Sequence, residues 1–533
     1  MAGPATASTA SPAASDTMPE RLPKHIRAVN DSKTYKVHER TLIICLDGTG
    51  DKFDADNSNI VHLVGCLKKD DPTQVTYYQT GIGTYDGGGL SNGFNASLDM
   101  AVGSGLGVHI RDAYKFLMQA YNEGDKICLF GFSRGAYTAR CLAGMIHKVG
   151  LLPAHNVAQV EFAYQFYKDD SAEGWKMSRD FKRTFCIEVN VHFIGVFDSV
   201  ASVGFIPRKL PLSATPTNKP LYFRHAIGLD ERRAKFKVSR YQFRESVESQ
   251  EPGGEDKWKV AALHEQSVKQ PIKQSGANTG AEFNGTPANG SAHPGKRHQP
   301  VTAQTDSLEV WFAGCHADVG GGAVKNEVRH KLSQIPLRWM IRQCFECDTG
   351  IIFNTHRLAE EGLDVHTLWP RYIALGRPTA PPPKHLMEKY RAGEIGPISR
   401  RTTALEDVGE DDNDDRDEGS FQLRIWEDDE KQVLTNLYTP EQTEDFFDAI
   451  SPLNDQLKDA KGWWALELWP IKVRVQPEGS EQWVKKVRMN LGRYRPAQEL
   501  APNLHWTVQQ RMEEKGYQVK TRTSKNAKWR IVV

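Results

Sequence analysis

The chain has 533 residues, 39% of them hydrophobic and 25% charged, with 68 basic against 67 acidic side chains for a formal charge of +1. That length accommodates roughly two units of ordinary domain size plus insertions, and the charge balance excludes the electrostatic footprint of a phosphate-backbone binder, so no nucleic-acid partner is expected. A mean hydropathy of -0.54, with no apolar run of the ~18 residues a spanning helix requires, excludes a membrane-crossing helix.

The first residues, MAGPATASTASPAASDTMPE, are small and polar and lack a basic and then apolar leader pattern, so residues 1–38 read as a disordered tail rather than a secretory signal. A cytoplasmic protein, at most peripheral to a membrane, is therefore expected. Cys45, Cys128 and Cys315 lie in or beside apolar β-branched runs, where cysteine serves as a small core residue in a reducing compartment. Cys344 and Cys347 form a lone C-x-x-C in a helical pattern with no second pair at ligand spacing. The core reading is preferred there, and no metal or cofactor is expected.

Arg40 to Leu46 predicts a buried strand running into Asp47-Gly48-Thr49-Gly50, and Asn57-Ser58 opens a helix through Ile60, Leu63 and Leu67. A strand at Val75 to Gln79, a glycine-rich loop from Gly81 to Gly89 and a helix carrying Leu106, Ile110, Tyr114 and Leu117 follow. The third strand, Lys126 to Phe130, enters Gly131-Phe132-Ser133-Arg134-Gly135 and a further helix. The fourth, Val189 to Phe197, ends at Asp198, and the fifth, Leu308 to Ala313, ends at Gly314-Cys315-His316. Continuous apolar strands alternating with amphipathic helices predict an α/β fold: a mainly parallel sheet with helices on both faces.

Residues 39–400 are expected to form this catalytic domain, interrupted by a disordered insertion over about 248–305 that is rich in Gly, Ser, Asn, Gln and Lys. Residues 401–423 read as an acidic flexible linker, and 424–533 as a C-terminal helical and mixed section packed on the domain. In that section Trp463, Trp464 and Trp469 are expected in the core rather than at a lipid headgroup layer. Val200 to Phe223 is expected as a loop over the sheet beside Asp198, with a lid or interfacial rim as the alternative.

Ser133 sits in G-x-S-x-G between a predicted strand and a predicted helix, the context of a nucleophile elbow. Gly131 and Gly135 are the positions that such a tight turn requires to lack side chains. A serine hydroxyl needs a positioned base oriented by a carboxylate. Asp198 and His316 each follow a strand, and strand ends of one parallel sheet converge on one edge. The backbone N–H of Arg134, with Gly48 or Thr49 from the loop after the first strand, is expected to form the oxyanion hole. Asp47 is expected to brace that loop. Asp318 competes with Asp198 to orient His316, and His505 is a second candidate base, disfavoured because no strand end is predicted before it. Asp47-Gly48-Thr49 also matches part of a phosphatase loop, but the nucleophilic aspartate of that loop would fall at Cys45.

These segments, LDGTGDKFDADNSNI, AYNEGDKICLFGFSRGAYTARCLAG, GVFDSVASVG and WFAGCHADVGGG, together resemble the α/β-hydrolase catalytic domain of bacterial type VI secretion phospholipase effectors, a group with uncharacterised fungal members. The resemblance covers about 40–353. It implies Ser133 as nucleophile, Asp198 as acid and His316 as base, acting on carboxylic esters, with glycerophospholipid acyl esters as the leading substrates. An esterase or thioesterase on small soluble substrates and a non-catalytic scaffold are the alternatives. Protein partners are not indicated.

Overall fold

The computed structural model describes residues 22–33, 40–81, 96–200, 219–241, 305–378 and 440–533 without 478–479 and 481–482, together with isolated positions between 384 and 422. Residues 1–21 and 34–38 of the expected N-terminal tail, most of the glycine-rich loop, residues 201–218, the insertion over 248–304 and most of the acidic linker lie outside the described residues.

Eight strands form one sheet: β1 Thr41–Leu46, β2 Gln74–Gln79, β3 Lys126–Phe132, β4 Val191–Phe197, β5 Tyr222–Gly228, β6 Asp306–Phe312, β7 Asn503–His505 and β8 Arg530–Val532. Their spatial order is β8-β7-β6-β5-β4-β3-β1-β2, and every neighbouring pair is parallel. Such a sheet must be covered on both faces, because parallel strands are joined by crossovers that lie over them. On one face Ile43, Cys45, Cys128, Phe130 and Phe193 pack with α1 (Asn59–Cys66) and with a helix at Gln334–Glu346 through Leu337, Met340 and Ile341. On the other, Leu42, Ile44, Ile127, Leu129 and Ile194 meet α2 (Ala96–Ala120) and α3 (Ser133–Val149). The alternation of one strand's residues between two apolar layers explains why these strands read as unbroken apolar runs.

The sheet differs from the expectation in two places. Tyr222 and Phe223 are not part of a loop or rim: Tyr222–Gly228 is an internal strand, with Phe223 fully buried. His316 therefore follows the sixth strand, not the fifth. The C-terminal residues also do more than pack on the sheet, since β7 and β8 extend it beyond β6. Trp464 and Trp469, expected in the core, are 39% and 58% exposed. They follow a short helical turn at the surface, where the Trp464 indole N–H donates to the Leu457 carbonyl. Among the described residues no helix is long and apolar enough to cross a membrane, and all eight cysteines are free, seven of them buried.

Candidate active site

Strand order reverses between β1 and β3, since the chain leaves β1 toward β2 on one side and later returns to the other. In an open parallel sheet the crevice at the carboxyl ends of such strands is where ligands bind. β1 ends at Asp47-Gly48-Thr49 and β3 runs directly into Ser133, the first residue of α3.

Ser133 has φ +56°, a left-handed conformation that costs a non-glycine residue about 1–3 kcal/mol and that concentrates at functional sites. The flanking glycines make the turn sterically feasible. A Cβ at Gly135 would lie 2.2 Å from the Leu46 carbonyl oxygen and 2.3 Å from that of Asp47, and one at Gly131 would lie 2.6 Å from the Ala136 backbone. The turn thus presses the start of α3 against the exit of β1.

The Ser133 Oγ lies 2.8 Å from His316 Nε2, and His316 Nδ1 lies 2.5 Å from Asp198 Oδ2. All three residues are buried, Ser133 and His316 at 6% exposure each and Asp198 completely. Asp198 follows β4 with φ +39°. Its turn is pinned by its own N–H donating to the Ala226 carbonyl and by the Ser199 N–H donating to His225 Nε2. The Val200 N–H reaches the Ser133 carbonyl at 3.4 Å, tying this turn to the first.

The His316 ring lies between Phe132 and Phe236, each with its centroid 4.7 Å away. Burial there holds the imidazole below its ordinary pKa, outweighing the upward pull of Asp198, so the ring is neutral at pH 7 with Nε2 able to accept a proton. Burial alone would push Asp198 up, but Arg495 and His316 hold its carboxyl well below the usual range. Arg495 bridges both carboxylate oxygens, at 2.6 and 2.8 Å, and the Gly228 N–H donates to Oδ1 at 2.9 Å. The sequence offered no signal for Arg495, one of two arginines in NLGRYRPA, far from every motif.

Other candidates have different partners. Asp47 accepts from Tyr78 Oη and from the Gly48 N–H, each at 2.8 Å, which occupies the Gly48 donor. Thr49 adjoins it in the same loop, and Arg134 stands in the first turn of α3, whose N–H groups have no intrahelical acceptor. Asp318 accepts from Cys315 N–H and from the Asn454 backbone and side chain, so His316 Nδ1 donates to Asp198 and not to Asp318. Burial raises Asp318 to about 6. His505 does end a strand, but it bonds Thr507 and stacks on Phe312, and burial with the nearby Arg338 lowers it to about 3. Asp51, two residues past Thr49, is pushed up to about 8 by burial and by Asp47 and Asp54, with Arg134 opposing. Among the described residues no group of three or more His, Cys, Asp or Glu is arranged to hold a metal ion.

Residues 40–343 match the family described as T6SS, Phospholipase effector Tle1-like, catalytic domain. The chain belongs to that family. It is also similar to the uncharacterized protein YEL023C of Saccharomyces cerevisiae, at 27% identity over 91% of this chain and 81% of the yeast one. Among solved structures it resembles an uncharacterized protein from Pseudomonas aeruginosa at 16% identity, with a TM-score of 0.28 over 60% of this chain and 47% of that one. A further likeness is to the Tle1 effector bound to the VgrG spike of the type 6 secretion system, at 17% identity, with a TM-score of 0.26 over 56% of this chain and 57% of that one. The chain thus spans only about half the length of the solved chains. The Tle1-like family is one of phospholipase effectors, and the eight-stranded parallel sheet with helices around it is consistent with an α/β-hydrolase-like fold. Arg495 lies outside the matched segment.

Proposed function

We propose that this protein is a serine hydrolase that cleaves carboxylic esters, glycerophospholipid acyl esters foremost, through an acyl-enzyme formed on Ser133. The observation that carries the reading is the buried chain Ser133 to His316 to Asp198 at the switch point of the sheet. His316, neutral at rest, takes the Ser133 proton as the Oγ attacks the ester carbonyl, and Asp198 stabilises the imidazolium that forms. The tetrahedral oxyanion is met by backbone N–H groups of Arg134 and of Thr49, the Gly48 N–H being engaged by Asp47. Collapse expels the alcohol, which takes the proton from His316; water then attacks the acyl-enzyme with His316 again as base and releases the carboxylic acid. The lipid preference rests on the family.

The test is acyl release by purified full-length protein from glycerophospholipid vesicles and from a monomeric short-chain ester, beside Ser133→Ala and His316→Ala. Release from both substrates, lost by at least ~10³-fold in either variant, is expected. Hydrolysis of the monomeric ester alone would reduce the proposal to an esterase on soluble substrates, and hydrolysis by a folded Ser133→Ala would overturn it.

A further inference from the structure

Arg495 meets Asp198 in a geometry that goes beyond charge compensation. Each of the five guanidinium N–H donors has an acceptor: Nη1 reaches Asp198 Oδ1 and the Gly228 carbonyl, Nη2 reaches Asp198 Oδ2 and the Phe236 carbonyl, and Nε reaches the Phe236 carbonyl. The carboxylate is filled in turn. Oδ1 accepts from Arg495 and the Gly228 N–H, and Oδ2 accepts from Arg495 and His316. Phe236, whose carbonyl caps the guanidinium, also lays its ring against the His316 imidazole. One side chain thus fixes the plane of the carboxylate and the loop that walls the imidazole.

The chain around Arg495 is built to hold it. Leu491 and Gly492 both adopt positive φ, 52° and 65°, in a turn anchored by the fully buried Glu467, which accepts from Asn490 Nδ2 and the Gly492 N–H. The same Glu467 accepts from the Ala234 N–H, in the loop that carries Phe236. On the far side the Arg522 N–H donates to the Arg495 carbonyl.

We propose that Arg495 is a positioning residue of the active site, clamping Asp198 in the orientation His316 requires and setting the basicity of that imidazole. This rests on the reading of Ser133, His316 and Asp198 as a triad, and it makes the chain beyond the family-matched segment part of the catalytic unit. The charged groups facing His316 are Asp198 and Arg495, Glu231 and Arg233 from the loop after β5, and Asp318 from its own short helix. Glu231 is itself paired to Arg233. Neutralising Arg495 therefore leaves the Asp198 charge uncompensated beside the ring. The imidazolium becomes easier to form, the His316 pKa rises, and the acid limb of activity moves to higher pH. A merely structural arginine would cost stability or rate without moving that limb.

The experiment has two arms in the full-length protein. In a Ser133→Ala background, the His316 imidazole is titrated by NMR with and without Arg495→Gln. In the active background, the rate of covalent labelling by a fluorophosphonate is followed against pH for wild type, Arg495→Gln and Arg495→Lys. We expect Arg495→Gln to raise the His316 pKa and the labelling limb together by about one pH unit. Arg495→Lys keeps the charge and loses the fork, so the limb stays and the rate falls roughly tenfold. A folded Arg495→Gln with the parent pKa and limb, or an Arg495→Lys that labels like wild type, overturns the proposal. Absence of labelling in wild type would instead overturn the triad reading, a failure the NMR arm distinguishes because it needs no turnover.

Discussion

At the scale of single residues, the site is an exercise in keeping charges buried yet paired. Asp198 is completely buried, and an ionised carboxylate survives there only because four donors surround it, two of them from a cation. His316 is shielded by two aromatic rings, so its neutral form is favoured despite the carboxylate. The sign of the resulting pH dependence is definite. Protonated His316 cannot accept the Ser133 proton, and its pKa lies below the ordinary imidazole value of about 6.5. Turnover should therefore rise with pH to half its plateau below about 6.5, and a kcat/KM profile measured from pH 4 to 9 checks this. A half-plateau point above 7 would contradict the neutral resting state. The residues proposed to carry the reaction were legible in the sequence because each follows an apolar strand in a short motif. Arg495 was not, since a lone arginine acquires meaning only through the partner it meets 297 positions away.

At the scale of elements, the junction of β1, β3 and α3 sets the position of Ser133. Gly135 lets α3 approach the carbonyls of Leu46 and Asp47 more closely than any side chain permits, and the approach brings the end of β1 beside the start of α3. Gly135→Ala should cost about 1–3 kcal/mol, read as a lower urea midpoint, with a larger relative loss of turnover because the whole turn shifts. An unchanged midpoint would mean that the junction is more pliant than its geometry indicates. The same scale explains which strands could be read in advance. β1, β3 and β4 sit in the middle of the sheet, are apolar on both sides, and announced themselves. β5 did not, because its YFRHAIG carries Arg224 and His225. Both are buried with tertiary partners invisible to local pattern: Arg224 bonds Gln343 and Asp306, and His225 bonds Glu309. β7 and β8 have three residues each, too few to show a period.

At the scale of the molecule, the chain past residue 343 holds the catalytic sheet together as well as extending it. The helix Pro440–Ala449 is bound to Gln334–Glu346 by buried pairs: Arg338 with Asp445 and Asp448, and Arg342 with Glu441. Burial and crowding of the acids push Asp445 to about 6 and Asp448 to about 7 even beside Arg338. Arg338→Met would strand two buried carboxylates and should cost about 3–5 kcal/mol at pH 8. Because carboxyls with raised pKa values are stabilised by protonation, that deficit should shrink as pH falls toward 5, which paired denaturation curves at the two values check. With Glu467 and Arg495, these pairs give the C-terminal residues three separate attachments to the loops and the helix packed on the sheet. None was readable from composition, since a charge of +1 over 533 residues conceals ion pairs made inside the fold.

The central claim, a nucleophilic serine at the switch point, is tested most directly by incubating the full-length protein with a fluorophosphonate and mapping the adduct by peptide mass spectrometry. The account predicts one phosphonyl group on Ser133, absent from Ser133→Ala and strongly reduced in His316→Ala. A stoichiometric adduct on another residue, or an unmodified Ser133 in protein that hydrolyses esters, would contradict it.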